Sequence, residues 1–179
     1  METQHIAIEK QIIRPKTSLK KEIGLLLMKI AFVILIFIVL FTFIFGIMRV
    51  KDSTMSLSIK NRDLVLYYRL DKKIVVGDVV VVEYEGKKQV RRVVAMAGDT
   101  VNITNDGLEI NGSLQYEPAI TTDTLRYVDG TNFPVTLEKN QVFLLADNRK
   151  DSIDSRIYGP VNKSDILGKA MSLFRQREI

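Results

Sequence analysis

The hydrophobic and polar positions of this chain follow two different rules along its length. From Ile30 to Met48 the sequence reads IAFVILIFIVLFTFIFGIM, without one charged residue. At about 1.5 Å of rise per residue, such a run spans roughly 28 Å, the thickness of a bilayer's hydrocarbon core. Leu25–Met28 extend it on the near side, where Lys29 can snorkel toward the headgroups. A signal peptide has a shorter apolar core, about 7–15 residues, and ends in an A-x-A-like site that is missing here. One transmembrane helix is therefore expected over residues 24–48, behind a polar tail, 1–23, that is interrupted by Pro15.

Beyond residue 49 the pattern turns from helix to strand. LVLYYRL (Leu64–Leu70), VVVVEY (Val79–Tyr84), QVRRVVAM (Gln89–Met96) and TVNIT (Thr100–Thr104) are β-branched or aromatic runs. They are punctuated by Gly77-Asp78, Glu85-Gly86, Gly98-Asp99 and Asp106-Gly107. GLEINGSLQ (Gly107–Gln115) predicts a small hairpin around Asn111-Gly112, and QVFLLA (Gln141–Ala146) and ILGKAMSLF (Ile166–Phe174) predict two further strands. Tyr116–Asn140, with Pro118, Pro134 and several threonines, reads as an exposed insertion. No helical run is expected after residue 50, so residues 49–179 should form one all-β domain.

Charge changes the picture of partners. The chain carries a net +5 at pH 7, and residues 1–51 hold the whole excess, because acids and bases balance from Asp52 onward. Nucleic acid is therefore not an expected partner, whereas a membrane is. The basic tail predicts a cytoplasmic amino terminus and an extracellular main domain, by the positive-inside rule. The chain has no cysteine, and its single histidine, His5, lies in the tail. A thiol nucleophile, a disulfide, a Ser-His-Asp triad and a histidine metal site are thus excluded from the outer domain, and no cofactor is expected.

Two boxes remain: TMSLSIKNRD directly after the anchor, and ADNRKDSIDSRIYGPV, Ala146–Val161, with VRRVVAMAGDTV between them. In content and order they resemble the type I signal peptidases. That family carries an anchor, an S-M-x-P-T turn with the nucleophilic serine, a strand with a general-base lysine in K-R-V, and then G-D-N-R-x-x-S-x-D-S-R-x-x-G. The resemblance implies an all-β outer domain of the signal peptidase I type behind one amino-terminal transmembrane helix. It places Asp147, Asn148, Arg149, Ser152, Asp154, Ser155, Arg156 and Gly159 in register with the last box. The group Asp154, Arg156 and Arg92 is implied to be a structural charge cluster.

The same register puts Thr54 at the serine position, followed by the expected Met55, and Arg91 at the lysine position, beside Arg92. Leu57, Ser58, Arg62 and Ala97 replace the family's proline, threonine, glycine and proline. The family's reaction needs a neutral lysine, whose pKa burial lowers from about 10.4 toward neutrality. A guanidinium keeps its proton in proteins and cannot take one from a hydroxyl. Lys87 shares the face of Arg91 but lies about 13 Å along an extended strand, at about 3.3 Å per residue, too far to substitute. Ser53 would point away from Thr54's side, and Ser56 and Ser58 lie further along it. Asp52, where the family often has glycine or serine near the oxyanion, would oppose a developing negative charge, or pair with Arg91.

The expectation is therefore a pseudo-enzyme, with the former centre framed by Asp52, Met55 and Ser152. Proteins it resembles, with the dyad replaced, are encoded with pilus components in Gram-positive bacteria. The resemblance implies an accessory or chaperone role in pilus and surface-protein assembly, with secreted polypeptides, pilin subunits and a sortase as partners. The alternative is a working type I signal peptidase that cleaves signal peptides from secreted preproteins, with Thr54 activated by a displaced lysine.

Overall fold

A computed structural model describes residues 18–51, 54–55, 59, 61–71, 73–150 and 152–174. The chain divides into two compact units at Leu40–Phe41. The first holds helix α1 (Leu19–Val39), none of whose residues is buried. Its start is set by the Ser18 carbonyl, which accepts from the Lys21 and Glu22 amides at 2.7 and 3.3 Å, with Glu22 at the positive end of the helix. The helical path continues through a π-type turn at Leu40–Ile44, and Leu19–Ile44 is long and apolar enough to cross a membrane. A helix that is apolar all round needs lipid or a protein interior around it.

The expected anchor overruns at its far end. Phe45–Arg49 is strand β1, paired from Phe45↔Tyr68 to Arg49↔Leu64 with strand β2 (Leu64–Tyr68). Gly46 lies so close to the Tyr67 ring that a Cβ there would come within 2.1 Å of it. An apolar helix and an apolar strand look alike in an uncharged run, and only the cross-strand partner tells them apart.

The second unit is built on antiparallel strands. The remaining ones are β3 (Val79–Tyr84), β4 (Lys87–Met96), β5 (Thr100–Thr104), β6 (Gly107–Ile110), β7 (Ser113–Leu114), β8 (Val135–Thr136), β9 (Gln141–Leu145), β10 (Val161–Asn162) and β11 (Ile166–Phe174). A seven-stranded sheet runs β1-β2-β11-β3-β4-β9-β10, and a four-stranded one runs β7-β6-β5-β8. Asn111 and Gly112, at φ 54° and 78°, make the two-residue turn between β6 and β7 that the sequence predicts. Glu85 and Gly86, at 49° and 71°, do the same between β3 and β4.

The core lies in three clusters. One gathers Met48, Met55, Val65, Tyr67, Val81, Val90 and Ala146, so the turn after β1 is held by the sheet. A second joins Val80, Val82, Val93, Val142 and Leu144. The third ties the small sheet to β4 and β9 through Ala95, Val101, Ile103, Leu108, Leu137, Phe143 and Leu145.

Two expectations fail here. The Asp147–Gly159 box contains a one-turn helix, α2 (Ser155–Tyr158), capped by the Asp154 carboxylate on the Arg156 amide. Residues 116–140 are also not merely an exposed insertion. Leu137 and Thr124 are buried, β8 pairs with β5, and Thr131 donates from its amide to the Arg156 carbonyl and from its hydroxyl to the Ser155 carbonyl, both at 2.7 Å. Gly130 passes so close to α2 that a Cβ would sit 2.2 Å from the Arg156 carbonyl oxygen. Here the partners of Thr131 are main-chain carbonyls, which leave no mark in the residue pattern.

Candidate active site

The two sequence boxes meet in space. Thr54 and Met55 follow β1 in a loop closed by the Val50 amide on the Asp63 carbonyl and the Arg62 amide on the Val50 carbonyl, each at 2.9 Å. Arg62 holds φ 73° to make that turn, a left-handed conformation that suits the glycine it stands in for. The Asn148 amide donates to the Thr54 carbonyl at 2.8 Å, and the Asp147 amide donates to Met55 Sδ at 3.2 Å. Met55 is fully buried, so the nucleophile-like turn is fixed by the second box.

Arg91 projects from β4 to the same point and is 1 % exposed. Its Nε and Nη2 both donate to the Ile153 carbonyl, at 3.0 and 2.8 Å. Its Nη1 donates to the Thr54 hydroxyl oxygen at 2.9 Å and to the Val90 carbonyl. Thr54 and Arg91 thus touch, as the resemblance requires of the two positions, but the proton in this bond belongs to the arginine. The hydroxyl receives a hydrogen bond at the atom that would attack.

The other predicted residues form a frame around this contact. Arg92 grips Asp147 with Nε and Nη2 at 2.8 and 2.7 Å, and this carboxylate pushes the guanidinium pKa above its ordinary value. That corrects the expected Asp154–Arg156–Arg92 cluster: among the described residues, the arginine that Asp154 holds is Arg156. Its two oxygens accept from Arg156 Nε and Nη2 at 2.9 Å and from the Arg156 and Ala146 amides at 3.1 Å. Four donors leave Asp154 no direction open to a second arginine. Arg92, paired in register with Leu145, lies near Asp147 instead.

Arg149 grips Glu117 at 2.9 and 2.6 Å and donates from Nε to the Ala146 carbonyl at 2.8 Å. Ser155 Oγ accepts the Leu144 amide at 3.0 Å. Ser152 Oγ donates to the Asn148 carbonyl, and the Tyr127 hydroxyl bridges the Ser152 amide and carbonyl at 3.0 and 3.1 Å. Ser152 therefore shapes the turn that presents the Ile153 carbonyl to Arg91. Asp52 lies outside the described residues, as do Ser53, Ser56, Leu57 and Ser58.

Sequence reasoning did not reach Tyr127, Gln89, Tyr158 or the Ile153 carbonyl. Tyr158 stacks on Tyr84 at 4.7 Å between ring centroids, with a buried hydroxyl that makes no hydrogen bond of ordinary geometry. Burial pushes its pKa well above the usual tyrosine value, and the nearby Arg91 cation offsets part of that rise.

Thr54 and Arg91 open onto a groove of about 710 Å³. One wall is Ile47–Lys51, from β1 onward; the other is Gly86–Arg91, with Ile153 beyond. β1 pairs with β2 only, and β9 covers β4 only from Arg92 to Met96. Among the described residues, both walls are therefore strand edges paired on one side, the kind of edge that an extended peptide can join.

A family model for signal peptidase, peptidase S26, matches residues 23–174. A Bacillus subtilis (strain 168) protein, signal peptidase I S, is 33% identical over 143 residues, 74% of this chain and 78% of its own. Signal peptidase IB of Staphylococcus aureus (strain COL) is 29% identical over 175 residues, 87% of this chain and 91% of its own. The crystal structure of a signal peptidase I from Enterococcus faecalis V583 aligns at a TM-score of 0.45 and 24% identity, over 54% of this chain and 96% of that one. This chain belongs to the signal peptidase (S26) family, a family of serine proteases, and its mostly β-sheet domain is that of the family.

Proposed function

We propose that this protein uses the signal-peptidase groove to hold an extended polypeptide without cutting it. In this proposal it is an accessory or chaperone in surface-protein assembly, anchored by α1 with its amino terminus in the cytoplasm. The observation that carries the proposal is the direction of one hydrogen bond: Arg91 Nη1 donates to the Thr54 hydroxyl oxygen. A general base must accept the hydroxyl proton at this distance, and a guanidinium offers no lone pair for it. Loss of a positioned base typically costs roughly 10²–10⁴ in rate. The paired walls of the groove still supply main-chain hydrogen bonds for binding.

The full chain in detergent, incubated with a preprotein, tests this. The wild type is expected to leave the preprotein intact while binding it, and the double variant Thr54→Ser/Arg91→Lys is expected to cleave it at least about 10²-fold faster. Wild-type cleavage abolished by Thr54→Ala would overturn the proposal. In cells, pilin subunits and a sortase are the proposed partners. Deleting the gene should block pilus polymerisation and leave signal-peptide removal normal.

A second function is favoured by the relatives themselves, which bear the names signal peptidase I S and signal peptidase IB. On that view the chain is an active peptidase, and Thr54 finds its base in a group other than Arg91. The same preprotein assay separates the two.

A further inference from the structure

We infer that the groove selects an acidic segment: an extended peptide whose Asp or Glu side chains meet a basic lining. The inference rests on the proposal that the groove binds polypeptide, and adds the chemistry of that polypeptide. Arg49, Lys51, Lys87, Lys88 and Arg91 all line the groove, and among the described residues no aspartate or glutamate does. Lys51, Lys87 and Lys88 are exposed. Glu83 lies opposite Lys88 in the β3–β4 ladder without closing an ion pair on it. Acids and bases balance from Asp52 onward, and Arg49 and Lys51 bring residues 49–179 only to +2, so five cations without an acid among the described residues of the lining are a local concentration.

Arg91 adds a deeper cation to the floor. Its acceptors are two carbonyls and a hydroxyl, with no carboxylate among the described residues. A buried charge is normally balanced by an opposite one. A bound carboxylate would supply that balance.

The strand edges decide between a peptide and an anionic lipid headgroup. A lipid headgroup lacks the regularly spaced N–H and C=O groups that pair with a strand edge. A peptide offers an N–H at alternate residues along each edge, at the β1 and Lys87–Arg91 walls. Side chains of such a strand alternate in direction, so acids at every second position can reach the lysines on one side.

The test uses the full chain in nanodiscs of zwitterionic lipid. The probes are a fluorescein-labelled peptide of alternating Glu and Val and its counterpart with Gln for Glu. The Glu peptide is expected to bind at least about tenfold more tightly at low salt, with the advantage shrinking toward 0.5 M salt, about where the screening length falls below half its value at 0.1 M. The exposed double variant Lys87→Glu/Lys88→Glu should lose the preference and retain the Gln peptide. Equal affinity for both peptides, or an unchanged preference in the variant, overturns the inference. So does displacement of the Glu peptide by phosphatidylglycerol vesicles as readily as by unlabelled Glu peptide, which marks a lipid site. Cleavage of either peptide counts against the non-cleaving proposal instead, and binding of neither sinks both.

Discussion

Four arginines surround the centre, and one of them differs from the rest. Arg92, Arg149 and Arg156 each hold a carboxylate with two nitrogens: Asp147, Glu117 and Asp154. Arg91 is as buried as Arg149 and Arg156, yet its partners among the described residues are carbonyls and the Thr54 hydroxyl. The three paired arginines neutralise their charges inside the frame and resist being moved. The fourth brings a positive charge to the place where substrate would lie. Frame and centre are thus built from the same residue type used in two ways, and only the frame depends on charge pairing for its stability.

The sharpest way to test that contrast is to strip one carboxylate from the frame. Asp154→Ala leaves Arg156 buried without its counter-charge and removes the α2 cap and the partner of the Ala146 amide. It should cost about 3–5 kcal/mol in chemical denaturation. Gly130→Ala forces a methyl against the Arg156 carbonyl and should cost about 1–3 kcal/mol by the same measurement, if loop and box are truly one piece. Arg91→Met removes a cation that leaves no carboxylate behind. It should cost no more than about 1–2 kcal/mol, chiefly for the Ile153 carbonyl. A loss as large as that of Asp154→Ala would place Arg91 in the frame and break the comparison.

The smallest effect concerns Tyr158, beside Arg91. Its hydroxyl is buried with no hydrogen bond of ordinary geometry among the described residues, so Tyr158→Phe should change stability at neutral pH by less than about 0.5 kcal/mol. At high pH the two proteins should part. The folded state raises the phenol's pKa, so the unfolded chain loses this proton first, from about pH 10 upward. Wild-type stability gained from the neutral phenol is present below that value and falls as pH rises above it. Tyr158→Phe should fall less steeply, as followed by circular dichroism through an alkaline titration.

Much of the frame was legible in the sequence because its partners are close along the chain. Asp154 and Arg156 lie two residues apart, and β3, β5 and β11 run over the expected spans, since their β-branched runs end at glycine or aspartate turns. The two-residue strands β8 and β10 were invisible, because pairing across the fold makes them strands, with little local preference. The choice of Asp147 by Arg92 was invisible for a similar reason: both acids are remote from Arg92 in sequence, and only the fold shows Asp154 already saturated with donors. At the centre, the identities of Thr54 and Arg91 were readable, whereas the carbonyl that orients Arg91 belongs to Ile153, whose side chain gives no hint of it.

The fastening of residues 116–140 bears on how such proteins can be recombined. A stretch that looks like decoration is held at Glu117, Gly130 and Thr131 by the same segment that positions Thr54. Swapping it for the matching stretch of a cousin would import a foreign mould for the Arg149–Arg156 backbone, and with it a different seat for the hydroxyl. Chimeras of this domain should therefore exchange both segments together, as a lock travels with its key.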